Sequence, residues 1–140
     1  MLTQETPAPQ AAVGALDLGA AFLAALAARD YAGLEACFAA DAAFQALVPR
    51  GLRAGTGPAE AVGWLRRWFG AADRLVLEAA SVALVVDRLH VSYGFRVHED
   101  GVWTRIEQQA YCVVADGRIQ IMHVLCSGFR PLEESSGEPA

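Results

Sequence analysis

Between Val102 and Phe129 two apolar-patterned runs, Val102 to Ala115 and Arg118 to Phe129, meet at Ala115-Asp116-Gly117-Arg118. Asp-Gly between alternating runs closes a two-residue turn whose twist matches paired strands, so this stretch is expected to fold as a long β-hairpin. In the first arm Arg105, Glu107 and Gln109 alternate with Ile106, Gln108 and Ala110, and successive side chains of a strand point to opposite faces. The even-numbered face is therefore the enclosed one. It continues through Cys112 and Val114 and, past the turn, through Met122, Val124 and Cys126. The remainder of the chain has to cover that face.

What precedes the hairpin supplies helices and then more strands. From about Asp17 an alanine-rich helix is expected to reach Arg29, with Leu18, Phe22 and Leu26 in one stripe. Asp30 can cap a second helix, in which Tyr31, Leu34 and Phe38 recur at helical spacing and which ends near Ala40-Asp41. Ala43 to Val48 reads as a short strand stopped by Pro49-Arg50-Gly51, with residues 49–56 a loop. Gly57-Pro58 opens a third helix, striped by Val62, Leu65 and Phe69, flanked by Trp64 and Trp68 and stopped at Gly70.

After Asp73 the apolar period falls to two, giving strands at Leu75 to Val86 and Arg88 to His98 before the hairpin. Leu89, Val91, Tyr93, Phe95 and Val97 take the inside of the second of these, and Gly94 reads as a bend. Helices ahead of a strongly bent antiparallel meander make an α+β fold: a cone-shaped curved sheet covered by three N-terminal helices, with an apolar cavity on its concave face. One domain over residues 13–131 is expected, with residues 1–12 and 132–140 as loose tails.

Charge and cysteine usage narrow the partners. A net charge of −5 and eleven scattered basic residues give no positive field for phosphates, so no nucleic acid is expected. Cys37, Cys112 and Cys126 are odd in number and lack CxxC or Cys/His spacing, which argues against both a disulfide framework and a zinc site. A reducing cytoplasm is the expected home, with no cofactor and no metal. Leu18 to Ala28 is too short an apolar run to span a bilayer, and no basic residue precedes it, so neither anchor nor signal peptide is expected.

This order of elements resembles the nuclear transport factor 2-like superfamily, in its SnoaL-like and ketosteroid-isomerase-like branch, over about residues 16–130. The likeness is carried by Leu26-Ala27-Ala28-Arg29-Asp30-Tyr31, Phe38-Ala39-Ala40-Asp41-Ala42, Gly57-Pro58 and Asp116-Gly117-Arg118-Ile119. Gly117-Arg118-Ile119-Gln120-Ile121-Met122 is similar to the steroid isomerases in particular. That resemblance implies a carboxylate base on the first strand and an oxyanion hole made of a tyrosine and a protonated acid. In this chain those positions fall on Ala46, Phe22 and Ala110, so all three groups are missing and isomerisation by that route is excluded. Epoxide hydrolysis, also hosted by the superfamily, needs inward carboxylates and an arginine. Arg96, Arg105 and Glu107 lie on the opposite parity, where a solvated or dimer-facing role is expected.

The enclosed face is expected to be lined by Phe22, Leu26, Trp64, Trp68, Tyr93, Phe95, Gln108, Met122, Val124 and Cys126. Gln108 must bond a neighbour, a water or a ligand, because an unpaired buried amide costs roughly 1–3 kcal/mol; Tyr93 or a backbone group is the favoured partner. Cys126 reads as a small core residue, and as a reactive thiolate only if a cation lowers its pKa. His90, His98 and His123 fall on the outward face without metal spacing. His123, between Ile121 and Leu125, marks an outer surface apolar enough for a second subunit, the convex-face homodimer that the resemblance implies. Arg50 and Arg53, in the loop after the first strand, read as solvated, with steering of an acidic ligand as the alternative.

Two functions remain open. One is a SnoaL-like binder of a small hydrophobic or aromatic molecule, with cyclase- or isomerase-type activity as what the resemblance implies. The other is a non-enzymatic dimeric accessory module whose pocket is filled by Trp64, Trp68, Phe95 and Met122. A void beside Gln108 and Tyr93 would favour the first, and a core packed shut would favour the second.

Overall fold

The structure, a computed structural model, describes residues 9–132. Of the tails expected at residues 1–12 and 132–140, residues 1–8 and 133–140 lie outside the described residues. Three helices, α1 (Pro9–Ala28), α2 (Tyr31–Ala36) and α3 (Gly57–Phe69), cover a curved, unclosed sheet. Its strands are β1 (Phe38–Val48), β2 (Gly51–Thr56), β3 (Arg74–Val85), β4 (Arg88–Glu99), β5 (Val102–Ala115), β6 (Arg118–Cys126) and β7 (Arg130–Pro131). They lie in the order β2-β1-β6-β5-β4-β3, and β7 pairs with β5. This is the expected α+β cone, with one change: β1 runs parallel to β6, so the sheet is mixed rather than purely antiparallel.

α1 starts at Pro9, several residues before the expected Asp17, so residues 9–12, the end of the supposed tail, are helical. Its alanine-rich first turns carry no apolar stripe that could reveal them in the sequence. The buried stripe is Ala15, Gly19, Phe22 and Leu26, and it seats the helix on β3 and β4. The approach is close at Gly19, where a Cβ would stand 2.6 Å from Val82 Cγ1. The longer helix also corrects the bilayer argument. Gln10–Ala28, with mean hydropathy 1.9, is long and apolar enough by length and composition to cross a membrane, although 33% of it is buried against the protein.

α2 is capped as expected, Asp30 Oδ1 accepting from Gly33 N at 3.0 Å, but it stops at Ala36. Phe38, which fits helical spacing, opens β1 instead: it pairs with Ile119 and packs edge-on against Phe22, centroids 6.3 Å apart. Tertiary pairing outweighs local periodicity at this position. The expected loop 49–56 is largely strand, because Pro49 and Arg50 turn the chain and Gly51, at φ 129°, starts β2 against Val48. Arg53 therefore sits in a strand, 6.0 Å from the Trp64 ring. α3 follows expectation, burying Val62, Leu65 and Phe69, with Glu60 Oε1 accepting from Thr56 N, the amide of the N-cap residue, at 2.7 Å.

The bend expected at Gly94 comes from its neighbour strand. The β3–β4 register shifts between Leu77 and Ala79, leaving Glu78 as an extra residue opposite Phe95-Gly94. Such a bulge bends the strand and sharpens its local twist.

Candidate functional site

The register stacks the concave face into transverse rows. One runs Phe44–Met122–Cys112–Leu89, the next Ala46–Val124–Ala110–Val91, and a third Cys126–Gln108–Tyr93. All of these residues are buried, so the even-numbered face of the hairpin is enclosed as its alternation requires. Ala46 and Ala110 flank Val124 in one row, and Phe22, at 0% exposure, packs against the rings of Phe38 and Tyr93. Among the described residues Gln108 is the one buried polar side chain. No carboxylate, arginine or histidine joins the buried wall, and no group of three or more His, Cys, Asp or Glu among the described residues could hold a metal ion.

Within that wall the polar groups satisfy one another. Tyr93 donates its hydroxyl proton to Gln108 Oε1 at 2.6 Å, and Gln108 Nε2 donates to Cys126 Sγ at 3.2 Å. Gly128 N also donates to Cys126 Sγ, at 3.3 Å. Burial drives the Tyr93 phenol far above its ordinary range, with the Cys126 and Cys112 thiols adding to the shift. Burial likewise raises the Cys112 thiol to about 12. Cys37, whose Sγ donates to Gly33 O at 3.4 Å, is raised by burial and by nearby Asp30. Tyr93 and Cys112 therefore remain protonated at neutral pH, and this part of the wall offers contact and hydrogen bonding rather than proton transfer.

The ten sequence-derived lining residues do not all meet. Phe22, Leu26, Tyr93, Phe95, Gln108, Met122, Val124 and Cys126 share the concave core. Trp64 packs against the edge of that core, partly buried, where its Nε1 donates to Ala54 O of β2 at 3.0 Å. Trp68 bridges outward from Phe44 to Trp64, with centroids at 6.4 and 6.0 Å. Phe22, Phe38, Phe44 and Phe69 are buried in the core itself, the last 5.3 Å from Phe95.

Two large grooves lie outside this core. One, of about 570 Å³, opens at the end of the concave face between the start of α1 and the β3–β4 and β5–β6 turns. Ala15, Leu84 and Val114 form its floor and Asp87, Arg88 and Asp116 its rim. The other, of about 690 Å³, lies on the outer face and reaches Tyr93 and Gln108 from behind, between His90, Ser92, Glu107, Gln109 and Leu125. The void beside Gln108 and Tyr93 is thus on the side of the sheet opposite to the one expected. The three histidines do face outward: His90 Nε2 lies 3.0 Å from Gln109 Oε1, His98 Nδ1 lies 3.2 Å from Asp73 Oδ2, and His123 is exposed. The outer face also carries a line that no sequence pattern announces. Leu52, Leu47 and Leu125 stand side by side across β2, β1 and β6 at 58%, 51% and 51% exposure. Their alignment follows from β2 and from the parallel β1–β6 pairing, both absent from the sequence-based expectation.

Comparison with known proteins bears on the scaffold. The profile of the SnoaL-like domain family matches residues 20–122. An LEH-like epoxide hydrolase of M. tuberculosis superposes with a TM-score of 0.66 at 17% identity, over 83% of this chain and 84% of that one. A candidate polyketide cyclase from Xanthomonas campestris pv. campestris gives 0.68 at 20% identity, over 82% and 91%. A protein of ketosteroid isomerase-like fold from Catenulispora acidiphila DSM 44928, solved with trimethylamine, gives 0.66 at 17% identity, over 87% and 94%. At these identities the likeness is one of fold. No curated protein matches the chain.

Proposed function

Because this chain belongs to the SnoaL-like domain family, we propose that it binds a small apolar or aromatic molecule against the concave face of its sheet, without the chemistry of the steroid isomerases. The observation that carries this reading is the make-up of the wall: apolar rows interrupted by a single hydrogen-bonded line, Tyr93–Gln108–Cys126. A face of that kind rewards a ligand with a large apolar body and one polar group, the usual chemistry of a small-molecule pocket. Phe22, Leu26, Tyr93, Phe95, Gln108, Met122, Val124 and Cys126 are the proposed contacts, with Trp68 at the flank. Ala46 and Ala110 leave no base and no acid there, so binding rather than turnover is the proposed role.

Thermal-shift measurements against fused-ring aromatic ketones and monocyclic terpenoids test this. Apolar compounds at about one hundred times their Kd should add about 2.7 kcal/mol of stability, and polar sugars of equal size should add nothing. A panel in which no apolar compound raises the melting temperature would sink the reading.

A second reading, of a dimeric accessory module, is favoured by a different observation. Phe22, Phe44, Phe69, Phe95 and Met122 are all at 0–1% exposure, so the interior is already filled, while Leu52, Leu47, Leu125 and Tyr111 stand exposed on the outer face, Leu125 at the edge of its groove. An apolar line on an otherwise polar face fits a second copy related by a two-fold axis. Sedimentation at micromolar concentration should then report a dimer that Leu125→Arg converts to monomer. A monomer for the unmodified chain would remove this reading and leave the first untouched.

A further inference from the structure

We propose that an arginine line on the outer face is a docking site for an acidic peptide segment, and that its occupant is the chain's own stretch from Glu133 to Glu138. The register sets Arg96 opposite Arg105 and Arg105 opposite Arg130, so three guanidinium-bearing positions fall in one transverse line across β4, β5 and β7. Paired residues share a face, and like charges directly opposite one another destabilise a ladder. Arg74, opposite His98 in the adjoining line, adds a fourth. The Trp103 ring packs among them, its centroid 5.5 Å from the Arg74 guanidinium carbon, 5.0 Å from that of Arg96 and 4.9 Å from the His98 ring.

Compensation within the described residues falls short. Glu78, set out by the bulge in β3, lies 2.6 Å from Arg96 Nε, in an orientation that makes no hydrogen bond, and 3.3 Å from Arg105. Asp73 is engaged with His98 at 3.2 Å. Among the described residues Arg74 and Arg130 have no ion-pair partner, and Glu107, two residues from Arg105 on the same face, pairs with neither. Four arginines thus meet one carboxylate, on a chain whose net charge is −5. All eleven of its basic residues are arginine, the side chain whose planar fork grips carboxylates two bonds at a time.

The occupant follows from connectivity. After Arg130-Pro131-Leu132 the sequence continues Glu133-Glu134-Ser135-Ser136-Gly137-Glu138. Neighbouring strands lie about 4.8 Å apart, so Arg130 to Arg96 spans roughly 10 Å, which three extended residues at about 3.3 Å each cover. Continuing straight along β5 would carry the glutamates to Glu99 and Asp100 at the β4–β5 turn, like charge against like. Crossing the line sets them on arginines. Each exposed pair is weak, but the tether supplies an effective concentration in the millimolar range, which an untethered acidic peptide would have to match.

The test uses the full chain, labelled with ¹⁵N, beside a full-length variant carrying Glu133→Gln, Glu134→Gln and Glu138→Gln. At about 20 mM salt the Arg96, Arg105 and Arg130 Nε–H signals and the Trp103 indole signal should differ between the two chains. Raising salt to about 500 mM should move the unmodified chain's signals toward the variant's, with the variant responding at least about threefold less. A synthetic peptide of residues 132–140 added to the variant should move them back. Identical low-salt spectra would overturn the proposal. Shifts that follow protein concentration in both chains alike would also overturn it, assigning the line to a second copy. Matching thermal melts of the two chains confirm that the comparison is between two folded proteins.

Discussion

Replacing Phe22 by alanine is expected to cost about 3–5 kcal/mol of folding stability and roughly 10–20 °C in Tm, the upper range for truncating one core side chain. The ring is fully buried and joins distant parts of the sheet. It meets Phe38 of β1 edge-on at 6.3 Å and Tyr93 of β4 at 6.3 Å with a 51° tilt. Those strands are three places apart in the sheet order, so this one side chain spans the concavity. Truncation leaves a void that the closely seated α1 cannot collapse to fill, because Gly19 already brings the helix against Val82, Leu89 and Val91. Urea denaturation measures the loss, with Val13→Ala as control: Val13 lies on the same helix at 58% exposure and should change stability by less than about 0.5 kcal/mol. A Phe22 variant within about 1 kcal/mol of the parent would mean that α1 is not seated as described. Small aromatic compounds should partly restore the variant by occupying the void, as they do not for Val13→Ala.

The second large effect is expected at the Tyr93–Gln108 pair. Gln108→Leu removes the acceptor of a buried hydroxyl and the donor to Cys126, and should cost about 1–3 kcal/mol. Tyr93→Phe alone strands Gln108 Oε1 in the same way. The double variant has no stranded hydroxyl, so its loss should be smaller than the sum of the singles by about 1 kcal/mol. Additivity to within about 0.3 kcal/mol would show that the two groups do not depend on each other.

The same pair sets the response to alkali. The folded-state pKa of Tyr93 is raised above its ordinary 10.0 and that of Cys112 is raised from 9.0 to about 12, so both protons are held in the fold and released on unfolding. Stability from these groups is complete below about pH 9, then falls as pH rises, by up to about 1.4 kcal/mol per pH unit for each group. Tyr93→Phe should remove the tyrosine's share of that fall, which begins near pH 10, while the share owed to Cys112, which begins near pH 9, remains.

How far the sequence reveals the molecule varies from element to element. Period-two alternation places Ile106, Gln108, Ala110, Met122, Val124 and Cys126 on the buried face because one wet and one dry side leave no other register. The same alternation yields the Tyr93–Gln108 partnership, since residues facing each other across two strands must be inward together. Phe38 misleads because helical spacing and strand pairing both fit its neighbours, and only the distant Ile119 decides between them. β2 is hidden by Pro49 and Gly51, which signal a turn without telling whether a strand follows. The outer leucine line and the arginine line are illegible for one reason: each is a property of three strands at once, fixed by registers that no local pattern encodes.

β1 and β6 run side by side although Asp41 and Gln120, bonded at 2.9 Å, are 79 residues apart in the chain. Parallel pairing at such a distance carries a large loop-closure cost that must be met before any contact repays it. On a ribosome the first strand emerges long before its neighbour exists, holding only its hairpin with β2. The four antiparallel arms from β3 to β6 can zip locally, each to the next, as they appear. Closure of the cone then waits for Cys126 to leave the exit tunnel, and until that moment the phenylalanines of β1 are exposed to whatever else is folding nearby.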